Sequence, residues 1–180
     1  MAAEILYLVS DRAEFPQQRP ATQLSFDPAT ADEQEALSSL IEQTYADTLD
    51  CPTLNGQREM DDILEGYRQT GRHDPNRWFI VRQGSHPIGC LILTDHPSEQ
   101  QLELVYQGVV PSARGHGFGL EMTRHAQYLT GQANRSRLVL AVDSGNAPAI
   151  KAYTAAGFQQ WDRRFVYVKF IDAGAPDSTD

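Results

Sequence analysis

The stretch Val109-Val110-Pro111-Ser112-Ala113-Arg114-Gly115-His116-Gly117-Phe118-Gly119-Leu120 decides how this chain is interpreted. An apolar run over 102–110 stops at Pro111, and helical spacing of apolar residues begins at Phe118. Glycines in the turn between them let backbone N–H groups converge, and the start of the helix adds partial positive charge. The pattern predicts a diphosphate-binding turn, to which Arg114 adds a charged fork.

Two other interpretations of this turn remain open at this point. A glycine-rich turn can simply reverse the chain, because glycine motifs alone are weak evidence of a ligand. A dinucleotide-binding turn needs Gly-x-Gly-x-x-Gly, and Gly115 and Gly117 fit that pattern while Leu120 stands where the third glycine belongs. Such turns usually follow the first strand of a parallel sheet, whereas several strands precede this one.

Around the turn, hydrophobic periodicity predicts alternating strands and helices without internal repeats. Strands are expected at 5–9, 23–26, 77–83, 88–94, 102–110, 137–142 and 165–170. Helices are expected at about 31–46, from about 60 to 71, at about 118–131, and from Asn146 to Gly157. The strands from 77 to 110 should form an antiparallel meander, and the strand–helix–strand unit over 102–143 should make two strands parallel.

A second block, Asn146-Ala147-Pro148-Ala149-Ile150-Lys151-Ala152-Tyr153-Thr154-Ala155-Ala156-Gly157-Phe158, follows the first in order. It is similar to N-x-x-A-x-x-x-Y-x-x-x-G-F of the GNAT superfamily of acyl-CoA N-acyltransferases, and residues 114–119 resemble that family's R/Q-x-x-G-x-G/A signature. The resemblance covers about 76–170 well and 22–75 by element order. It implies one α/β (mixed α+β) domain, with a mixed, mostly antiparallel sheet splayed at a parallel pair and flanked by about four helices. We expect an N-terminal extension over 1–21, the N-acetyltransferase domain over 22–171, and a disordered tail over 172–180.

The resemblance also implies which residues would act. Tyr153 would protonate the departing thiolate, and Glu103 would accept the amine proton through water, with Gln107 on the same strand face holding that water. Gly108 would lie at a strand bulge, and Asn146 would also cap its helix. The residues expected to bind acetyl-CoA are Val109, Val110, Arg114, Gly115, His116, Gly117, Phe118, Gly119 and Asn146.

Charge suggests the kind of acceptor. The formal net charge is -9, and residues 1–75 hold fifteen Asp and Glu against five Arg. With the acidic first two helices, this predicts a cationic acceptor, either a small amine or a peptide amine. The acidic residues there are Glu42, Asp47, Asp50, Glu59, Asp61 and Asp62.

Other partners are disfavoured by composition. No basic stripe suits nucleic acid, and no apolar run approaches the roughly 18–20 residues that span a bilayer. The two cysteines, Cys51 in a loop and Cys90 in a strand core, form no metal motif and suit a reducing cytoplasm. We therefore expect a cytoplasmic protein without metal or membrane contact, with His116 and His125 on its surface; a homodimer is left open.

One departure from the family keeps a different class of function in play. Some members carry a glutamate in the strand where this chain has Ala141. A non-catalytic acyl-CoA-binding module is therefore the main alternative to an N-acetyltransferase that works by direct attack of the amine in a ternary complex. A nicotinamide-dependent oxidoreductase is the second alternative, and the 146–158 block argues against it.

Overall fold

The computed structural model describes residues 3–167, apart from the side chain of Leu54. Seven strands form one sheet in the order β2-β3-β4-β5-β6-β1-β7. The strands are β1 (Ala3–Asp11), β2 (Leu24–Pro28), β3 (Trp78–Gln83), β4 (His86–His96), β5 (Gln101–Val109), β6 (Arg137–Asp143) and β7 (Gln159–Val166). The helices are α1 (Gln34–Tyr45), α2 (Met60–Gln69), α3 (Phe118–Gln132) and α4 (Ala147–Ala155). The predicted fold class and order of elements are confirmed.

Strand β4 shows where the core lies. Its eight residues 88–95 are all buried, because neighbouring strands flank it and helices cover both of its faces. Gln107 of β5 bonds to α3, while a Cβ on Gly108 would meet Thr44 of α1. Since successive strand residues point to opposite faces, α1 and α3 cover opposite faces of the sheet.

The two ends of the described chain meet at one edge of the sheet. β1 is antiparallel both to β6 and to β7, so Ala3–Asp11 are hydrogen-bonded inside the sheet. The division of the chain at residue 21 stays a prediction, although β1 and the remaining strands share this sheet.

The prediction of the last strand was wrong. It begins at Gln159, not at Phe165, and residues 168–170 lie outside the described part, as does the expected tail over 172–180. Most β7 residues are exposed because this edge strand pairs on one side only, so its sequence shows no apolar alternation. No helix in the described range 3–167 is long and apolar enough to cross a membrane.

The parallel pair β5 and β6 separates part of the way along. The two strands pair only from Gln101 with Arg137 to Leu104 with Leu140. Just beyond Leu104, Val105 has no partner in β4, although Leu104 and Tyr106 on either side of it pair with successive β4 residues. β5 therefore bulges at Val105 and stops pairing with β6. The expected splay is therefore present, but its bulge is at Val105 and not at Gly108. Gly108 instead allows α1 to approach closely, because a side chain there would collide with Thr44.

Candidate active site

The gap between the separated strands opens into a cavity of about 630 Å³. Residues 104–109 of β5 form one wall, and Ala141 and Val142 of β6 form the other. The α1–α2 loop, the turn before α3 and one face of α4 complete the lining. Its volume lies in the range of small-molecule sites, about 300–1,000 Å³.

The predicted glycine turn lines this cavity. Gly115 and Gly117 both have φ of +82°, a left-handed conformation that glycine adopts at little cost. A Cβ on either would meet no atom within 4 Å, so the backbone conformation, and not crowding, requires glycine there. α3 then begins at Phe118, whose ring is buried in the core and stacks on the exposed His116 ring with 5.6 Å between centroids.

The N–H groups of this turn are available to a ligand. Among residues 3–167, no acceptor receives a hydrogen bond from the backbone N–H of any residue from Gly115 to Gly119. The first N–H groups of a helix have no partner inside the helix and carry partial positive charge. The turn is therefore suited to an anionic group such as a diphosphate.

The side chain of Arg114 lines the cavity and is bonded to four backbone carbonyl groups. Its Nε donates to the carbonyl oxygen of Val109 at 3.1 Å, and its Nη2 donates to the carbonyl oxygens of Thr44 and Ala46 at 3.0 and 2.8 Å. Its Nη1 donates to the carbonyl oxygen of Asp47 at 3.3 Å. The guanidinium thus ties the C-terminal end of α1 to the end of β5, where its charge also suits the helix dipole.

Arg114→Lys is expected to lower the free energy of unfolding by about 1–2 kcal/mol, because lysine cannot reproduce this set of bonds. Urea denaturation measures the change, and Arg124→Lys on the exposed face of α3 serves as the control. Unchanged stability with a loss confined to acetyl-CoA affinity would show that the guanidinium contacts the ligand after all.

The backbone of β5 also presents N–H groups to the gap. The N–H of Val110 donates to the carbonyl oxygen of Ile88 at 2.9 Å, so it is occupied by β4. Backbone groups alternate sides along an antiparallel strand, so the N–H of Val109 points away from β4 and into the gap. Of the two strand-end residues expected to bind acetyl-CoA, only Val109 has an N–H oriented to donate to an acyl or pantetheine carbonyl in the gap.

Helix α4 contributes the predicted tyrosine. Asn146 caps the helix as expected, since its Oδ1 accepts the N–H of Ala149 at 3.3 Å. Tyr153, two turns later, is 6% exposed and lines the cavity. Its hydroxyl has no hydrogen-bond partner within the described residues, and burial raises its pKa, with the charge of Asp50 as the second cause. A phenol that stays protonated and faces an open cavity can donate its proton to a bound group.

Glu103 lies apart from that cavity. It lines a second hollow of about 570 Å³, and its Oε2 is 2.8 Å from Nε2 of His96. The prediction that Glu103 and Gln107 share a face was wrong, because the extra residue Val105 reverses the alternation between them. Gln107 therefore points to α3, where its Nε2 donates to the carbonyl oxygen of Gly119 at 3.0 Å.

The two hollows meet at Ala141, which lines both. A ligand in the first cavity can thus be approached from the second through the opening between β5 and β6. The second hollow lies on the sheet face that carries Glu103, Val139 and Tyr7.

Sequence reasoning missed a pair of aspartates beside the cavity. Asp50 lies in the α1–α2 loop and accepts the backbone N–H of Asp143, which lies at the end of β6. Asp143 in turn accepts the backbone N–H of Cys51, the residue after Asp50. Ninety-three positions separate them in the chain, so no local motif could have revealed the pair. Asp50 was noted only as one acidic residue among six.

Neither cysteine lines the cavity, and neither do the two histidines noted in the sequence, His116 and His125. Cys51 lies in a loop and Cys90 in a buried strand, as predicted, and burial raises the pKa of their thiols to about 11 and about 12. His125 is not on the surface: it is 4% exposed and stacks on Phe26, and burial lowers its pKa to about 4. It faces inward because α3 presents this side to the sheet. Within residues 3–167, no three His, Cys, Asp or Glu side chains group as metal ligands.

Comparisons with known proteins identify the family of this chain. Residues 41–158 match the model of the Acetyltransferase (GNAT) family. A mycothiol acetyltransferase from Streptomyces bingchenggensis is 30% identical over 95 residues, which are 52% of this chain and 30% of that protein's length. The matched segment therefore spans less than a third of that relative.

Solved structures share the fold at low sequence identity. A GCN5-related N-acetyltransferase from Sphaerobacter thermophilus superposes with a TM-score of 0.70 at 16% identity, over 90% of this chain and 50% of that one. A GCN5-related glucosamine N-acetyltransferase region of a fungal β-N-acetylglucosaminidase gives 0.64 at 16% identity, over 89% of this chain and 20% of that one. Because the family match extends over more than half of the sequence, this chain belongs to the GNAT family of acetyltransferases.

Proposed function

We propose that the protein transfers an acetyl group from acetyl-CoA to a primary amine. The observation that carries the proposal is the cavity between β5 and β6, which joins the free N–H groups of residues 115–119 to the hydroxyl of Tyr153. The turn would bind the diphosphate, and the pantetheine arm would follow β5 into the gap. The thioester would then lie near Tyr153 and the N–H of Val109.

The reaction follows from this placement. A neutral amine attacks the thioester carbon in a ternary complex, and a backbone N–H facing the gap stabilises the oxyanion. Tyr153 gives its proton to the departing thiolate. Two carboxylates are candidates to accept the proton of the incoming ammonium: Glu103, which the family resemblance implies, and Asp50, which lines the cavity.

A transfer assay with a panel of amines tests this function. Release of the coenzyme A thiol is followed with polyamines, glucosamine, a peptide with a free N-terminus, and the acceptor of mycothiol acetylation. The last is included because curated relatives carry that name. Thermal-shift titrations with acetyl-CoA, coenzyme A, NAD and NADP accompany it, since a ligand at about a hundredfold over its Kd adds about 2.7 kcal/mol. Stabilisation by the nicotinamide ligands alone would contradict the proposal, as would acetyl-CoA binding without turnover of any amine.

The acceptor is expected to be cationic beyond its reacting amine. Two of the six acidic residues noted in the sequence, Asp47 and Asp50, line the cavity itself. Attraction between exposed charges is screened by salt, with a Debye length of about 10 Å at 0.1 M. The diamine putrescine should therefore show a KM that falls as ionic strength falls, whereas butylamine, which has the same carbon chain and one charge fewer, should show a smaller change. Equal salt dependence for the two amines would argue against a cationic acceptor.

A further inference from the structure

The α1–α2 loop is bonded to the end of β6 through the carboxylates of two aspartates. Oδ1 of Asp50 accepts the N–H of Asp143 at 3.0 Å, and Oδ2 of Asp143 accepts the N–H of Cys51 at 3.1 Å. Oδ1 of Asp143 also accepts the N–H of Gly145 at 2.8 Å. The N–H of Asp143 faces the gap, since the N–H of the next residue, Ser144, bonds to β1. Asp50 thus lies across the mouth of the gap.

The carboxylates of Asp50 and Asp143 differ in how many of their oxygens are free of hydrogen bonds. Asp143 is 7% exposed, and both of its oxygens accept backbone N–H groups. Asp50 is half-buried and lines the cavity, and only its Oδ1 accepts a hydrogen bond from the residues that the structure describes. Asp143 is therefore a structural partner, while Asp50 keeps one oxygen for a substrate.

A second, independent feature points to a reacting group beside Asp50. The hydroxyl of Tyr153, on a side chain more than nine-tenths buried, lines the same cavity without a partner among residues 3–167. The hydroxyl is not among the polar atoms sealed inside the protein, so it is open to the cavity and free to donate a hydrogen bond to a ligand there. The cavity then has a proton donor on α4 and a proton acceptor in the α1–α2 loop.

We propose that Asp50 is the residue that deprotonates the acceptor amine, with Asp143 and Cys51 holding its loop in place. The inference rests on the proposed acetyl transfer and specifies which side chain performs one of its steps. Glu103 fits the role less well, because it lines the other hollow and its carboxylate is already bonded to His96.

Protons and bonds balance in this scheme. The acceptor ammonium gives one proton to the carboxylate of Asp50, and the neutral nitrogen forms the C–N bond to the thioester carbon. As the C–S bond breaks, Tyr153 gives its proton to sulfur and regains one from the positively charged nitrogen. Asp50 then releases its proton to solvent, so the products are an acetamide, coenzyme A thiol and one proton.

The environment of Asp50 supports this task. Burial raises the pKa of its carboxyl group; the N–H of Asp143 acts in the opposite direction, and the charge of Asp143 raises it further. A proton acceptor works best when its pKa approaches the operating pH. The titratable groups nearest to it are Asp143, Cys51, Tyr45, Tyr106 and Tyr153. Asp47, Arg114 and Lys151 line the same cavity, and the charge of Arg58 reaches Cys51 and Tyr45. The three tyrosines have pKa values raised by burial and stay protonated while Asp50 titrates.

Asp50→Asn is the decisive variant, since an asparagine oxygen can still accept the N–H of Asp143 and keep the loop in place. Relative to wild type, kcat/KM at neutral pH should fall by about 100-fold. The loss should shrink as pH rises, because more of the amine is then already neutral. Asp74→Asn is the matched control: Asp74 also accepts a backbone N–H, at 3.0 Å from Asn76, and lies outside the cavity.

Stability gives a readout that does not depend on turnover. A carboxyl whose pKa is higher in the folded protein binds more protons there, so its contribution to stability is lost as pH rises past the ordinary value of about 3.9. Asp50→Asn removes the ionisable group, so the variant does not lose this part of its stability as pH rises. The variant should melt above wild type at pH 7, and the difference should disappear in acid.

Other outcomes overturn the inference in distinguishable ways. A wild-type protein that acetylates no amine refutes the proposed function, and the role of Asp50 falls with it. If wild type is active, an Asp50→Asn variant with wild-type kcat/KM, or with a loss equal at every pH, refutes the role of Asp50 alone. A pH-dependent loss in Glu103→Gln without one in Asp50→Asn would transfer the role to Glu103.

Discussion

Gly119→Leu is expected to weaken acetyl-CoA binding by about 100-fold or more, which corresponds to about 2.7 kcal/mol. Gly119 is the second residue of α3 and lines the cavity beside the turn whose N–H groups are free. A leucine side chain would occupy the space where we place the diphosphate. Isothermal titration with acetyl-CoA measures the loss.

The fold itself should accept this substitution. Gly119 has no left-handed φ, and a Cβ there meets only Nε2 of Gln107, at an ordinary 3.7 Å. Leucine also has a higher helix propensity than glycine, by less than ~1 kcal/mol. Gly66→Leu in α2 is the control, because Gly66 is likewise helical with open space around it but lies away from the cavity. If Gly119→Leu binds acetyl-CoA as wild type does, the assignment of the diphosphate to this turn is wrong.

Tyr153→Phe is expected to lower kcat by about 10²–10³-fold while the Kd of acetyl-CoA stays close to the wild-type value. The hydroxyl is the part of this side chain that we assign to protonating the thiolate, and its ring packs near Phe158 with 5.7 Å between centroids. Phenylalanine retains that packing and removes only the proton donor. Steady-state kinetics combined with titration calorimetry separates the two effects.

Stability provides a check on this variant. Since no described residue bonds to the Tyr153 hydroxyl, its removal should leave the melting temperature unchanged or raise it. Tyr128→Phe on the partly exposed side of α3 should alter neither kcat nor Kd, because Tyr128 does not line the cavity. A Tyr153→Phe enzyme with full kcat would require another source for the thiolate proton.

Local sequence patterns were sufficient for the elements near the glycine turn. Pro111 and the glycines of residues 115–119 mark the end of β5 and the start of α3, since each has a backbone preference that acts over a few residues. Asn146 likewise identified the start of α4 through a hydrogen bond to a residue three positions on. The start of β7 could not be predicted in this way, because an exposed edge strand lacks apolar alternation.

The direction of side chains around the gap was harder to predict. One extra residue, Val105, put Glu103 and Gln107 on opposite faces, and a bulge depends on the partner strand β4. His125 was expected at the surface, yet it stacks on Phe26, a residue ninety-nine positions earlier in the chain. Such contacts depend on long-range packing, which a helical pattern does not encode.

The sequence by itself determined the class of fold, the glycine turn before α3 and the position of Tyr153 on α4, because these depend on backbone preferences and helical spacing over a few residues. Only the tertiary structure decided which charged groups lie beside the cavity. In the folded chain, Arg114 is bonded to the end of α1 and Glu103 lies in the second hollow. Asp50 lies next to Asp143 across the gap. The physical reason is that electrostatic roles depend on burial and on distances between residues far apart in the chain, and those exist only once the sheet and helices have packed.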